Sequence, residues 1–263
     1  MKQYNFDDII ERKGSDCFKW DALPSMYGRD DLLPMWVADM DFRSPDFVMD
    51  AIRRRCEHEV LGYTMPSEGY WQAVEGWLGR RYGINTTKGE LHFIPGIVAG
   101  IAYALLCLTN PGDKVLVFSP FYENYGADAI LSGAEPVYIP LVPPDYHFDL
   151  SLIEKGFREG AKAIIICNPS NPCGKVFTRE ELLAISELAV RWDAFVVTDE
   201  VYEHLVYAPA EHVSVASLPG MFGRTITCNS LSKTYSITGW RLGYLIGPAD
   251  VIEACEKAGI ALL

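Results

Sequence analysis

The sequence is poor in the features that mark several protein classes. It has no Cys-x-x-Cys pair, no apolar run long enough to span a bilayer, no apolar leader-like core after its first residues, and only 5 histidines in 263 residues. The seven cysteines (Cys17, Cys56, Cys107, Cys167, Cys173, Cys228 and Cys255) are odd in number, and several lie in apolar strand-like runs where the thiol acts as a small hydrophobe. A disulfide framework and a zinc site are therefore not expected. His58, His92 and His204 lack the i, i+4 spacing of a metal-binding helix and read as structural or surface residues. Bases are scarce too: 23 Lys and Arg stand against 35 Asp and Glu, a net charge of −12. That balance argues against a nucleic-acid surface and against anionic membranes, and favours a small-molecule ligand. A cytoplasmic location is expected.

A hydrophobic fraction of 49% without low-complexity tracts indicates a well-packed globular chain. From about Leu91 onward, β-rich runs at 114–118, 136–141, 163–167, 195–198, 225–229 and 242–246 alternate with helical patterns. Alternation of this kind predicts an α/β fold in layers, with a mostly parallel central sheet. Thr178 and Glu181 form a capping box ahead of Leu182, Ile185, Leu188 and Trp192 at helical spacing. Another helix is expected to open at Ser44-Pro45, and a third after Pro66-Ser67, with Trp71, Val74, Trp77 and Leu78 on its core face and Gly83 as its stop.

Ligands of such sheets bind beyond the carboxyl ends of the strands. Polar loops stand there at Asn168-Pro-Ser-Asn-Pro-Cys-Gly174, Asp199-Glu-Val-Tyr202 and Ser230-Leu-Ser-Lys-Thr-Tyr-Ser-Ile-Thr-Gly-Trp-Arg241. A glycine turn at Pro95-Gly96 leads into a helix from Ala99 to Leu108. Together they supply what pyridoxal 5'-phosphate (PLP) requires of a protein. Lys233 is the candidate carrier and catalytic amine. Asp199 is suited to a protonated ring nitrogen, Asn171 and Tyr202 to the ring oxygen, and Tyr122 to the ring face. Ser230, Ser232, Arg241 and the amides of Ile97 and Val98 are candidates for the phosphate.

These three loops resemble the class I/II aminotransferases, PLP enzymes of fold type I, over roughly Gly62 to Pro248. The resemblance implies a homodimer in which Tyr63 reaches the partner's phosphate, with amino acids and 2-oxo acids as substrates. The amino-terminal motifs Lys19-Trp-Asp21, Leu33-Pro-Met-Trp-Val-Ala-Asp-Met-Asp-Phe42 and Leu61-Gly-Tyr-Thr64 are instead similar to the MalY/PatB carbon–sulfur β-lyases, a branch that includes cystathionine β-lyases. That branch usually lacks the arginine found here at 241 and favours histidine where this chain has Tyr202.

Amino-group transfer is thus the leading expectation. The alternatives are β-elimination, giving pyruvate, ammonia and a thiol, and a PLP-binding or regulatory protein without efficient turnover. By the same resemblance, residues 1–43 are expected to be part of a split small domain and 44–263 the PLP-binding large domain. The remainder of the small domain, with the arginine that grips the substrate carboxylate, is expected to be absent from this sequence.

Overall fold

Alternation of β-branched runs with amphipathic helices folds much of the chain around one seven-stranded sheet. The computed structural model describes residues 4–262; Met1–Gln3 and Leu263, the outermost residues of the two expected domain segments, lie outside them. Two compact units are formed. One comprises the chain through Tyr63 together with Leu231–Trp240; the other comprises Thr64–Ser230 and the chain from Arg241 onward.

In the sheet unit, β1 (Leu91–Ile94), β2 (Lys114–Ser119), β3 (Glu135–Pro140), β4 (Ala161–Cys167), β5 (Phe195–Asp199), β6 (Thr225–Asn229) and β7 (Gly243–Ile246) are arranged in the order β1-β7-β6-β5-β4-β2-β3. The pairs from β3 to β6 are parallel, whereas β7 is antiparallel to both β6 and β1. The expected mostly parallel sheet is present, with one reversed strand.

Side chains alternate across this sheet because successive Cβ atoms point to opposite faces. Val115, Val117, Ala163, Ile165, Val197, Ile226 and Leu245 enter one cluster, with Ile101, Tyr103 and Leu105 of one helix and Ile252 and Cys255 of another. Leu116, Phe118, Ile164, Ile166 and Val196 enter the opposite cluster, with Ile153, Phe157, Leu182, Ile185 and Leu188. Full burial of one such aliphatic side chain is worth about 1.5–3 kcal/mol. Helices α5 (Ile97–Leu108), α6 (Asn124–Leu131) and α9 (Ala249–Leu262) contribute to the first face, and α7 (Leu150–Arg158) and α8 (Arg179–Arg191) to the second. The result is the three-layer arrangement expected of the fold class.

Local signals explain the helix limits. Ser67 Oγ accepts the Tyr70 N–H (3.2 Å) at the start of α4 (Glu68–Tyr82), and Gly83, at φ 67°, ends it. Thr178 and Glu181 complete the expected capping box of α8. Trp71, Val74 and Leu78 are buried under α4. Trp77 is only half-buried, its ring edge-on to His204 (centroids 5.2 Å apart) with the Arg81 guanidinium 5.4 Å above it, so it seals the rim rather than filling the core.

The other unit contains α1 (Phe18–Asp21), α2 (Leu23–Tyr27) and α3 (Asp46–Cys56), the last preceded by Pro45 as its N-cap. Polar contacts hold it together. Arg12 reaches Asp39 Oδ2 and Asp41 Oδ1 (both 2.7 Å), while the buried Lys19 donates to Asp41 Oδ2 (2.6 Å) and the Asp39 carbonyl (2.7 Å). Trp20 Nε1 also donates to Asp41 Oδ1 (3.0 Å).

Candidate active site

In the sheet unit the polar residues gather where parallel strands end. Asp199 is the last residue of β5 and only 4% exposed. Its Oδ2 accepts from Tyr125 Oη (2.6 Å) and its Oδ1 from the Val201 N–H (3.1 Å). Burial, reinforced by the adjacent Asp199 carboxylate, pushes the Tyr125 phenol well above its ordinary range, so it remains a proton donor to that carboxylate. Sequence reasoning singled out Tyr122 and passed over Tyr125. Tyr125 follows Tyr122 by three residues in one turn, its N–H donating to the Tyr122 carbonyl (3.0 Å) and the two rings 5.7 Å apart edge to face.

Asn171 Nδ2 donates to Tyr202 Oη (3.5 Å), uniting two residues from separate loops. Burial, then proximity to Asp199, raises the Tyr202 phenol. Tyr122 is more exposed and is raised by burial too, with Glu123 and Asp199 adding and Arg241 opposing. The loop carrying Asn171 is anchored from below. Asn168, almost wholly buried, accepts the Phe177 N–H (3.1 Å) on Oδ1 and donates through Nδ2 to the Val213 carbonyl (3.3 Å). Glu200, next to Asp199, faces away from this group. It accepts from Ser214 Oγ (3.1 Å) and meets His212 Nε2 (3.2 Å), fixing the following loop.

Arg241 and Gly96 form a second focus. Helix α5 begins two residues earlier than expected, so Ile97 and Val98 occupy its first turn, where amide groups have no intrahelical acceptor. Gly96 provides no side-chain cap and adopts φ 118°. A Cβ on Gly96 would collide with the Arg241 guanidinium, so only glycine leaves this approach open. Arg241 itself has φ 53°, an uncommon conformation for a non-glycine residue. Ser230 is buried and its Oγ donates to the Leu242 carbonyl. A guanidinium against a helix N-terminus, on a glycine that leaves space, fits a phosphate group. The buried Asp199 carboxylate with its phenol donor fits a protonated ring nitrogen. On both counts these residues suit PLP.

The other expected residues lie in the second unit. Lys233 is half-buried, and its Nζ donates to the Ala38 carbonyl (2.6 Å). Its segment is tied down by Ser236 Oγ to the Met40 carbonyl (3.1 Å), Ser44 Oγ to the Ser236 carbonyl (3.0 Å) and Thr238 Oγ1 to Asp39 Oδ1 (3.3 Å). Ser232 is buried in that segment. Tyr63 is fully exposed.

Fold and site together define a three-layer α/β scaffold of the kind used by PLP-dependent enzymes of fold type I. Residues 35–260 match the family described as aminotransferase class I and II, and the chain belongs to that family. It is 36% identical over 260 residues to cystathionine beta-lyase PatB of Bacillus subtilis (strain 168), covering 97% of this chain and 67% of that protein. It is 38% identical over 226 residues to a bifunctional aspartate aminotransferase and glutamate/aspartate-prephenate aminotransferase of Petunia hybrida, covering 84% of this chain and 47% of that protein. The crystal structure of cystalysin from Treponema denticola, which contains a pyridoxal 5'-phosphate cofactor, superposes with a TM-score of 0.90 at 28% identity, over 97% of this chain and 67% of that one. The chain thus spans between about half and two thirds of these relatives. No helix among the described residues is long and apolar enough to cross a membrane.

Proposed function

We propose that this chain binds PLP through Lys233 and acts in amino-group transfer between an amino acid and a 2-oxo acid. The observation that carries this reading is the pair of foci in the sheet unit: a buried carboxylate with a phenol donor at Asp199, and a guanidinium seated on the bare Gly96 turn. When bound, PLP supplies an aldehyde that links to an amine and a ring that withdraws electrons from the carbon attached to that amine.

The protein's own residues divide the remaining work. Arg241, Ser230, Ser232 and the first-turn amides of Ile97 and Val98 hold the phosphate, fixing the cofactor by its most charged end. Asp199 remains ionised against the ring nitrogen and keeps a proton there, and Tyr125 holds that carboxylate in place. Asn171 and Tyr202 donate to the ring oxygen, and Tyr122 covers a ring face. Lys233 Nζ, displaced by an incoming amino group, becomes the base that takes the proton from the substrate α-carbon and the acid that returns it. Residues 1–43 belong, in this reading, to a small domain and 44–263 to the cofactor-binding one. A second copy of the chain would complete the site through Tyr63.

β-Elimination is the second reading, and a specific observation favours it. The similarity to the cystathionine β-lyase extends over 97% of the chain, amino-terminal motifs included. Both reactions begin with the same proton transfer at Lys233 and diverge afterwards. Two measurements test the proposal. Borohydride reduction after incubation with PLP is expected to fix the cofactor on the tryptic peptide Thr225–Arg241, and Lys233→Ala to abolish that label; labelling elsewhere would sink the site assignment. Incubation with cystathionine and no 2-oxo acid separates the reactions: release of pyruvate and thiol would replace transfer by elimination.

A further inference from the structure

The seven cysteines are free thiols, and two of them lie on neighbouring helices, one of them on α5 at the end away from its first-turn amides. Gly259 of α9 lies against Tyr103 of α5, so close that an added Cβ would stand 3.1 Å from the ring. One turn further along α5 is Cys107, and one turn back along α9 is Cys255, so the same helix crossing that brings Gly259 to Tyr103 brings these two side chains together in one apolar cluster. Residue numbers rise on one helix as they fall on the other, so α5 and α9 pack antiparallel. The side-chain-free Gly259 allows the close approach that a bridge between the next pair of side chains requires.

From this pairing we infer that Cys107 and Cys255 form a thiol–disulfide redox site that reversibly staples α9 to α5.

The two thiols are inequivalent in a way that suits the exchange. Cys107 is partly exposed near the carboxyl end of α5, whereas Cys255 is fully buried. The neighbouring Cys255 lowers the Cys107 thiol below the ordinary range, against the opposing effect of burial. The neighbouring Cys107, then burial, raises Cys255. Cys107 is therefore the attacking thiolate and Cys255 the resolving thiol. With glutathione disulfide as oxidant, Cys107 sulfur attacks one glutathione sulfur, forming a mixed disulfide and expelling the other half as thiolate. The Cys255 thiol gives up its proton to that thiolate and attacks Cys107 sulfur, expelling the second glutathione. Two protein thiols are oxidised and one disulfide is reduced to two thiols, so atoms and electrons balance. Cys228 also lies near Cys255, but it is fully buried on β6 and its thiol is held well above the ordinary range by burial, then by Asp199.

The test uses the purified chain in glutathione disulfide, followed by alkylation of remaining thiols under denaturing conditions and tryptic mass analysis. The expected product joins peptide Gly89–Lys114 to peptide Leu242–Lys257, two hydrogens lighter than their sum, and dithiothreitol reverses it. C107S and C255S each abolish the product, and C228S retains it. Amide exchange in α9 is expected to slow at least about fivefold on oxidation, a readout that C107S should not show. Oxidant that modifies only Cys17 or Cys56 while Cys107 and Cys255 remain alkylatable overturns the proposal. So does a bridge from Cys255 to Cys228.

Discussion

The two units of the chain are stabilised by different means. In the sheet unit, alternate faces of the strands feed two apolar clusters whose members, such as Leu116, Ile164 and Ile165, are essentially inaccessible to water. Among the described residues of the other unit the buried large apolar side chains are Leu23 and Ile237, and a charged side chain, Lys19, is buried as well. Its connections run through Arg12, Lys19, Trp20, Asp39 and Asp41, while Ile9, Met35 and Leu61 are mostly exposed. Apolar burial is non-directional and tolerates salt, whereas a hydrogen-bonded charge network needs each partner in position and responds to pH. The scaffold and the segment that carries Lys233 should therefore fail under different conditions.

Four substitutions test that contrast. Leu116→Ala, on an interior strand facing Gly156, should remove about 2–5 kcal/mol from the sheet unit in urea unfolding; a loss under about 1 kcal/mol would show that apolar packing is not what holds it. Gly96→Ala should cost that unfolding curve about 1–2 kcal/mol, because φ 118° strains any residue with a Cβ, while the clash itself falls on the Arg241 guanidinium and not on the core. It should weaken PLP binding by about tenfold or more, measured by titration of the cofactor's absorbance.

Asp128 is a flaw within the apolar unit. Burial pushes its carboxyl up to about 6, and Oδ2 lacks a hydrogen-bond partner. The folded protein holds this proton more tightly than the unfolded one, so stability falls as pH rises from about 4 through 6. Asp128→Asn should gain about 1–2 kcal/mol at pH 8, partial hydration limiting the effect, and almost nothing at pH 4. A gain independent of pH would assign the effect to packing instead.

The smallest effect is expected in the polar unit. Burial would raise the Asp41 carboxyl, but hydrogen bonds from Lys19, Trp20 and Arg12 outweigh it and hold the group at about 2. Its contribution is present above about pH 4 and is lost as pH falls toward 2. Asp41→Asn should cost under about 1 kcal/mol near neutrality, read as faster amide exchange in α1, and should abolish that unit's sensitivity between pH 4 and 2. High salt should reproduce part of the loss; insensitivity to both would remove the contrast between the units.

The same contrast explains what could be read from the sequence. Strands β2 to β6 were legible because their β-branched runs are local and periodic, and the caps of α4 and α8 because Ser67, Gly83, Thr178 and Glu181 act within one turn. The reversal of β7 was not legible: Gly243–Ile246 reads as a strand in either direction, and orientation depends on pairing with β1, about 150 residues earlier. The Arg12–Lys19–Asp39–Asp41 network was illegible for a similar reason, since no local pattern links those positions. Asn171, Asp199, Tyr202 and Arg241 stood out through their motifs, whereas Tyr125 did not, because its role depends on Asp199, 74 residues away. The left-handed backbone of Arg241 has no sequence signal at all.

The discontinuity of the Lys233 unit has a consequence during synthesis. Its first part is complete at Tyr63, but Leu231–Trp240 is made only after more than 160 further residues. At about 5–20 residues per second, the early segment waits on the order of ten to thirty seconds for its complement. Throughout that time Arg12, Asp39 and Asp41 can pair among themselves, while Ala38 and Met40 have no hydroxyl or amine from the late segment to receive. The early segment thus stays without its complement until the lysine-bearing turn emerges, and slower translation before codon 231 is expected to lengthen its exposure.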